Sequence, residues 1–268
     1  MRRPRIPRAL TIAGSDSGAG AGIQADLKTF AARGVYGTSV ITALTAQSSR
    51  AVHAVLGVRP AFVRAQIDAV LDDIGADAVK VGMLLDARTV TAVADALVAH
   101  GVRRLVVDPV LAAKGGETLL APAAVATLRA RLLPLAEIVT PNLAEAAALA
   151  GFPVTDLTGM VEAARLIARL GARAVVVTGG HLSGDAVDVL LVGGAPRMLR
   201  AARVGRTPPH GTGCTFSAAI AAELAKGAPV GAAVRAAKRY TTACIRRAHH
   251  LGRGHPILGH LPLMLTRT

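Results

Sequence analysis

The chain has 268 residues, with 31 Lys and Arg against 17 Asp and Glu for a formal net charge of +14, a length that accommodates one large α/β domain. Hydrophobic residues at 52% and charged residues at 18% exclude intrinsic disorder, while no apolar run approaches the ~20 residues of a membrane span. Two cysteines exclude a disulfide framework, and dispersed arginines with aromatics at only 2% argue against a nucleic-acid surface; the same charge suits a small polyanion such as a nucleotide.

The basic opening MRRPRIPRAL lacks the apolar core of a signal peptide, so residues 1–8 are expected to be a flexible tail, residues 9–268 one domain, and the chain cytoplasmic. From there the pattern alternates. Strands are predicted in ALTIAG, GTSVIT, AVHAVLGV, AVKVGM, RLVVDPV, AEIVTPN, AVVVTGG and DVLLV, and helical periodicity covers Ile23–Ala32, Pro60–Ile74, Ala87–His100, Ala123–Leu133 and Val161–Leu170. Strand alternating with helix predicts a mostly parallel sheet covered on both faces. Leu191–Pro209 reads as an edge strand followed by a loop over the crevice.

Several strands end in turn residues: Gly14 with Asp16, Gly82, Asp108 with Pro109, Pro141 with Asn142, and Thr178 with Gly179 and Gly180. Each alone is ordinary turn chemistry. Together they line the rim beyond the carboxyl ends of the strands, where open α/β sheets bind ligands.

Two glycine-rich turns lead into helices. In PPHGTGCTFSAA, Gly211, Thr212 and Gly213 precede a helical run that stops at Gly227, so their free N–H groups and the helix dipole form an anion cradle beside Cys214. In AGSDSGAGAGIQADLKTF the turn opens a helix carrying Asp26, and the next strand leads to Gln47. Neither turn is a clean dinucleotide fingerprint or a phosphate-binding loop ending in Gly-Lys-Ser/Thr.

Seven collinear segments resemble one family: AGSDSGAGAGIQADLKTF, ALTAQSS, VKVGML, VVDPVLAAKGGETLL, LLPLAEIVTPNLAEAAALAG, VVVTGGHL and HGTGCTFSAAIAAELAKGA. They are similar to the hydroxymethylpyrimidine/phosphomethylpyrimidine kinases of thiamine biosynthesis, in the ribokinase-like superfamily, from about Ala9 to Gly227. The resemblance implies a single-domain three-layer fold, ATP and magnesium as cofactors, an aminopyrimidine substrate phosphorylated twice, and a homodimer. It implies Gln47 reading the aminopyrimidine, Asp26 near its hydroxymethyl group, and Met83 and Val110 packing the ring. It gives Asp108, Asn142 and Glu145 to magnesium and phosphate, the latter two spaced i, i+3, with Thr178 and Gly180 on the nucleotide side. Cys214 stands where many ribokinase-like enzymes have an aspartate base, as proton acceptor or as positioner. Its ionisation is pulled both ways, down by the helix dipole and up by phosphate.

The pattern departs from the family at Thr178, where relatives often have lysine, at Pro208–Pro209, and in GRGHPILGH. Arg203 and Arg206 are candidates to replace the missing charge. His249, His250 and His255 have no transition-metal spacing. A pyridoxal-type kinase on the same fold and a nucleic-acid-binding protein with a kinase-like fold remain as alternatives.

Overall fold

Nine strands among the described residues form one sheet: β1 Arg8–Asp16, β2 Tyr36–Gln47, β3 Val52–Gly57, β4 Ala78–Val81, β5 Leu105–Val107, β6 Ile138–Val139, β7 Ala174–Val177, β8 Ala186–Val192 and β9 Ala195–Ala201. Their order is β3-β2-β1-β4-β5-β6-β7-β8-β9. The computed structural model describes residues 5–112, 119–180, 182, 184–205 and 209–260. Strands β2, β1, β4, β5, β6 and β7 run parallel. Strands β3, β8 and β9 extend the two edges antiparallel. The stretch AVHAVLGV could only become such an edge strand, because the four residues between β2 and β3 are too few for a parallel crossover.

The helices are α1 Gly22–Ala32, α2 Pro60–Asp73, α3 Ala87–Ala99, α4 Pro122–Thr127, α5 Leu143–Ala150, α6 Leu157–Arg169, α7 Thr212–Ala225 and α8 Val230–Arg246. Alternate side chains on each strand point to opposite faces. One set, with Ile12, Val81, Val107 and Val177, packs under α2, α3, α5 and α6; the other, with Ala9, Ala78, Val106 and Val176, packs under α1, α7 and α8. The expected three-layer sandwich therefore holds. Helix α7 is buried almost all round, consistent with its run of Ala, Ile and Leu.

Two expectations need correction. The helix predicted over Ala123–Leu133 is a short α4 that loosens into a π-helical turn at Leu128–Leu132 and a 3-10 turn at Leu133–Leu135. Pro134 is the physical cause, since it has no N–H to donate and its ring crowds the preceding turn. At the other end, β1 begins at Arg8, inside the stretch expected to be a free tail. The Arg8 amide donates to Asp77 Oδ2 at 2.9 Å and Arg5 pairs with Asp77 at 2.5 Å. The reversal of winding between β1 and β4 leaves a crevice at the carboxyl ends of the parallel strands.

Candidate active site

Helices α1 and α7 both begin at that crevice, and neither has a side-chain cap on its first turn. Their glycine turns interlock. Gly211, the cap residue of α7, adopts φ +83°, and a Cβ on it would collide with the Gly20 carbonyl. Gly22 adopts φ +57°, and a Cβ there would strike the Gly14 carbonyl. These two positions require glycine for left-handed backbone as well as for space. Gly213 differs: it is exposed and a Cβ would meet no protein atom within 4 Å. The expected cradle of Gly211, Thr212 and Gly213 is thus an open helix N-terminus, where uncapped N–H groups and the dipole favour an anion.

Cys214 lies in the first turn of α7, partly exposed. Below it is a buried charge cluster. Lys80, the one charged residue of the otherwise apolar β4, shares the α1/α7 face with Ala78 and is completely buried. Its Nζ donates to Asp26 Oδ2 at 2.9 Å and lies 4.0 Å from Asp108 Oδ2. Thr11 donates to the same Asp26 oxygen at 2.6 Å, and Ser217 Oγ donates to Asp108 Oδ2 at 2.9 Å, tying α7 to the end of β5. Burial raises Lys80's preference to lose its proton, but Asp26, Cys214 and Asp108 more than reverse it and hold the ammonium charged. Burial also pushes both carboxylates upward, against the pull of Lys80. The Cys214 thiol is driven up to about 12, by burial first and then by Asp108 and Asp26, while Lys80 and the Gly22 amide oppose.

Asp26, expected beside the substrate hydroxymethyl group, is 0% exposed. Its Oδ2 anchors Lys80 beneath the crevice. Asp108 and Cys214 lie close enough for the charge of one to act on the other. Lys80 and Ser217 had no assigned role in the sequence reading. Lys80 had a visible signal, a lone charge within the apolar strand AVKV, since a buried charge needs a partner.

The opposite lip of the crevice is polar and less buried. Gln47 ends β2, with Oε1 3.2 Å from Thr45 Oγ1 and Nε2 2.8 Å from His210 Nε2. His210 Nε2 also lies 3.2 Å from Asp16 Oδ2. Asp16 gathers the turn before α1 by accepting from the Gly18, Gly20 and Ala21 amides at 2.8, 3.0 and 2.8 Å. Burial pushes Asp16 upward, yet His210 and those amides outweigh it and hold the carboxyl below its usual range. Met83 is nearly buried behind Gly14, where an added Cβ would sit 3.0 Å from its Sδ, and Val110 is half-buried beyond β5. His210 is itself held by the segment 249–260, through its amide to the Pro256 carbonyl at 2.9 Å.

On the nucleotide side, the i, i+3 spacing of Asn142 and Glu145 has a second use. It is a capping box: Asn142 Oδ1 accepts from the Glu145 amide at 3.0 Å and Glu145 Oε2 accepts from the Asn142 amide at 2.8 Å. Glu145 is buried, and burial together with the Asp108 charge raises it to about 8. Asn142 bridges to Thr178 across the strand ends. Arg203, a candidate to replace the missing lysine charge, instead spends its guanidinium on the carbonyls of Gly180, Leu182 and Gly184, so it pins the loop after β7. Arg206 and Pro208 lie outside the described residues.

Among the described residues no three His, Cys, Asp or Glu side chains gather as a metal-holding group. The donor set nevertheless fits magnesium. Asp108 and Glu145 are hard oxygen donors close enough for the Asp108 charge to raise Glu145, a repulsion that a bound cation would relieve; magnesium characteristically takes one or two carboxylates and completes its shell with water and phosphate oxygens.

The phosphomethylpyrimidine kinase family model matches residues 16–258. A hydroxymethylpyrimidine/phosphomethylpyrimidine kinase of Rhizobium meliloti is 54% identical over 252 residues, 92% of this chain and 94% of that protein. The bifunctional thiamine biosynthesis protein of Geobacter sulfurreducens is 53% identical over 263 residues, 97% of this chain, which spans only 54% of its length. Among solved structures, an ADP complex of Bacillus subtilis pyridoxal kinase superposes with TM-score 0.90 at 41% identity, covering 96% of this chain and 98% of that one. Clostridium difficile phosphomethylpyrimidine kinase gives TM-score 0.79 at 42% identity, covering 89% and 98%.

Proposed function

Because the chain belongs to the phosphomethylpyrimidine kinase family, we propose that it moves the terminal phosphoryl group of ATP to the hydroxymethyl oxygen of 4-amino-5-hydroxymethyl-2-methylpyrimidine and then to the monophosphate. It is a phosphotransferase of thiamine biosynthesis on a ribokinase-like fold. The observation that carries the residue assignment is the pair of uncapped helix starts meeting at Cys214 above Lys80 and Asp108.

In this reading the α7 N–H groups of Thr212 and Gly213 hold the phosphoryl group in transit, with Gly211 setting the backbone and Cys214 facing the acceptor oxygen. Phosphoryl transfer depends mainly on alignment and charge neutralisation, and a thiol lifted to about 12 is a weak proton acceptor in the resting enzyme. Cys214 therefore contributes chiefly by position against the acceptor oxygen, whose proton passes to an oxygen of the transferred phosphoryl group. Asp108 and Glu145 would hold magnesium, through water, and the ion supplies neutralisation of phosphate charge. Asn142, Thr178 and Gly180 shape the nucleotide side. Gln47 offers the heterocycle a donor and an acceptor, and Met83 and Val110 pack the ring.

The chain from β1 onward is read as one domain. A homodimer is supported by the exposed apolar edge: Leu44 and Leu56, directly opposite each other on β2 and β3, are 44% and 67% exposed. No helix among the described residues is long and apolar enough to cross a membrane. The likeness to a pyridoxal kinase keeps a second substrate in view. Turnover with ATP and magnesium on hydroxymethylpyrimidine and pyridoxal, side by side, tests the reading, with salt-dependent DNA retention as a third arm. Faster turnover on the pyrimidine is expected; exclusive turnover on pyridoxal, or retention on DNA without turnover, overturns it.

A further inference from the structure

The side chains around Gln47 leave its amide little freedom, and the sense they impose follows from counting protons. Thr45 Oγ1 has a single hydrogen, and it has an acceptor-only partner in the Ser15 carbonyl at 3.0 Å. Toward Gln47, 3.2 Å away, that hydroxyl can then only accept, so the amide atom facing it must be a donor. At the other end, His210 Nε2 faces both the Asp16 carboxylate at 3.2 Å and the Gln47 amide at 2.8 Å. Asp16 is held ionised by its amide contacts and can only accept. His210 must then carry its proton on Nε2, and a protonated ring nitrogen has no lone pair for an incoming N–H. The amide atom facing His210 must be an acceptor. Both ends demand the same sense, and the oxygen and nitrogen of a glutamine amide are assigned by such a network.

We propose that Asp16, His210 and Thr45 lock the Gln47 amide with Oε1 toward His210 and Nε2 toward Thr45, and that this lock selects amino-substituted over oxo-substituted heterocycles. The inference rests on the reading that Gln47 meets the substrate. One lone pair of Oε1 and one hydrogen of Nε2 stay free, in a fixed left-to-right order. An aminopyrimidine presents the complement, a donating amino group beside an accepting ring nitrogen. The 4-oxo analogue reverses both, with a carbonyl beside a ring N–H. A freely turning amide would accept either; a locked one rejects the analogue, because the mismatch leaves polar groups facing like groups. Asp16 and His210 are positioning residues here, acting through Gln47.

Two measurements test this. The first is the ratio of kcat/KM for the aminopyrimidine and for its 4-oxo analogue in wild type, Thr45→Val and Asp16→Asn, with thermal unfolding as a check on folding. Thr45→Val keeps the shape and removes the accepting hydroxyl, so the ratio should fall by about tenfold, through KM, with kcat on the aminopyrimidine kept within a few-fold. Should Asp16→Asn fail to fold, because Asp16 also gathers the α1 turn, Thr45→Val still decides. An unchanged ratio in folded Thr45→Val overturns the lock. The second is 15N NMR of the His210 ring in the unliganded enzyme, where a protonated Nε2 is expected and a bare Nε2 overturns the proposal. The underlying reading fails separately: Gln47→Ala with an unchanged pyrimidine KM removes Gln47 from the substrate and the selectivity with it, whatever the His210 tautomer.

Discussion

The two lips of the crevice solve different problems with different materials. At the phosphoryl end, Lys80, Asp26 and Asp108 are charged or strongly perturbed, nearly inaccessible, and fixed by contacts of 2.6 to 2.9 Å from Thr11, Lys80 and Ser217. At the heterocycle end, Gln47, His210 and Asp16 share hydrogen bonds in a half-buried setting. Fixed buried charge cannot adapt, which suits a reaction that moves the same phosphoryl group each time. Hydrogen-bonding amides discriminate by pattern, which suits recognition. In the proposed reading catalytic power and specificity are carried by separate residues, and substitutions should separate kcat from KM accordingly.

The largest expected effect lies at the open glycine of the cradle. Gly213→Val introduces a side chain into space that no protein atom occupies, and it should abolish measurable turnover on every acceptor, since each lost donor at comparable anion sites costs about 3–4 kcal/mol. Retained turnover would detach the phosphoryl end from α7.

Next comes the buried ion pair. Lys80→Met leaves Asp26 buried beside Thr11 without its ammonium and should lower unfolding stability by about 3–5 kcal/mol. Pairing it with Asp26→Leu should restore most of that loss while kcat stays low, as read by denaturant melts beside kinetics. Recovery of kcat as well would show the cluster to be packing alone.

Cys214→Ala leaves both helix starts intact, so ATP binding should persist while kcat on the alcohol falls by about 10²-fold, the scale of a lost positioning group, measured by single-turnover phosphorylation. Near-wild-type rate would reduce Cys214 to a small residue at a helix start.

The same end has a pH signature. His260 is 6% exposed and accepts from Thr215 Oγ1 at 2.8 Å, and burial followed by the Lys28 charge depresses it to about 4 from 6.5. The unfolded chain takes up this proton near 6.5 and the folded chain only near 4. This contribution to stability is therefore full above about pH 6.5 and is lost as pH falls toward 4, by at most about 3 kcal/mol. Urea midpoints across that range should flatten in His260→Asn; an equal slope in both would remove His260 as its source.

The smallest effect is at the heterocycle end. Gln47→Leu should raise the pyrimidine KM by the equivalent of about 1–3 kcal/mol and leave kcat and the ATP KM nearly alone. A fall in kcat instead would erase the separation between the lips.

Much of this was legible before any coordinates. The strand and helix periods of the parallel core appear in the sequence because alternating burial forces them, and Gly211 with Gly213 marks the start of α7. The limits are equally physical. Pro134 was visible, but its reach back into the preceding turn depends on where the helix is packed. The i, i+3 spacing of Asn142 and Glu145 fits both a ligand pair and a capping box, and only the hydrogen bonds reveal the latter. The family resemblance places Asp26 near the substrate, but its burial against Lys80, 54 residues away, appears only in the structure. Such long-range pairings leave no local periodicity to read.

The interlocked glycine turns also set an order of events during synthesis. Gly211 rests on Gly20, and His210 reaches Asp16 across 194 residues and Gln47 across 163, so every contact that builds the cradle waits for the last quarter of the chain. Chains emerge N-terminus first and closing long loops is slow. A nascent chain halted after β9 would have all nine strands of the sheet and no kinase site. Activity is thus acquired late, after α7 docks and the segment 249–260 closes over His210.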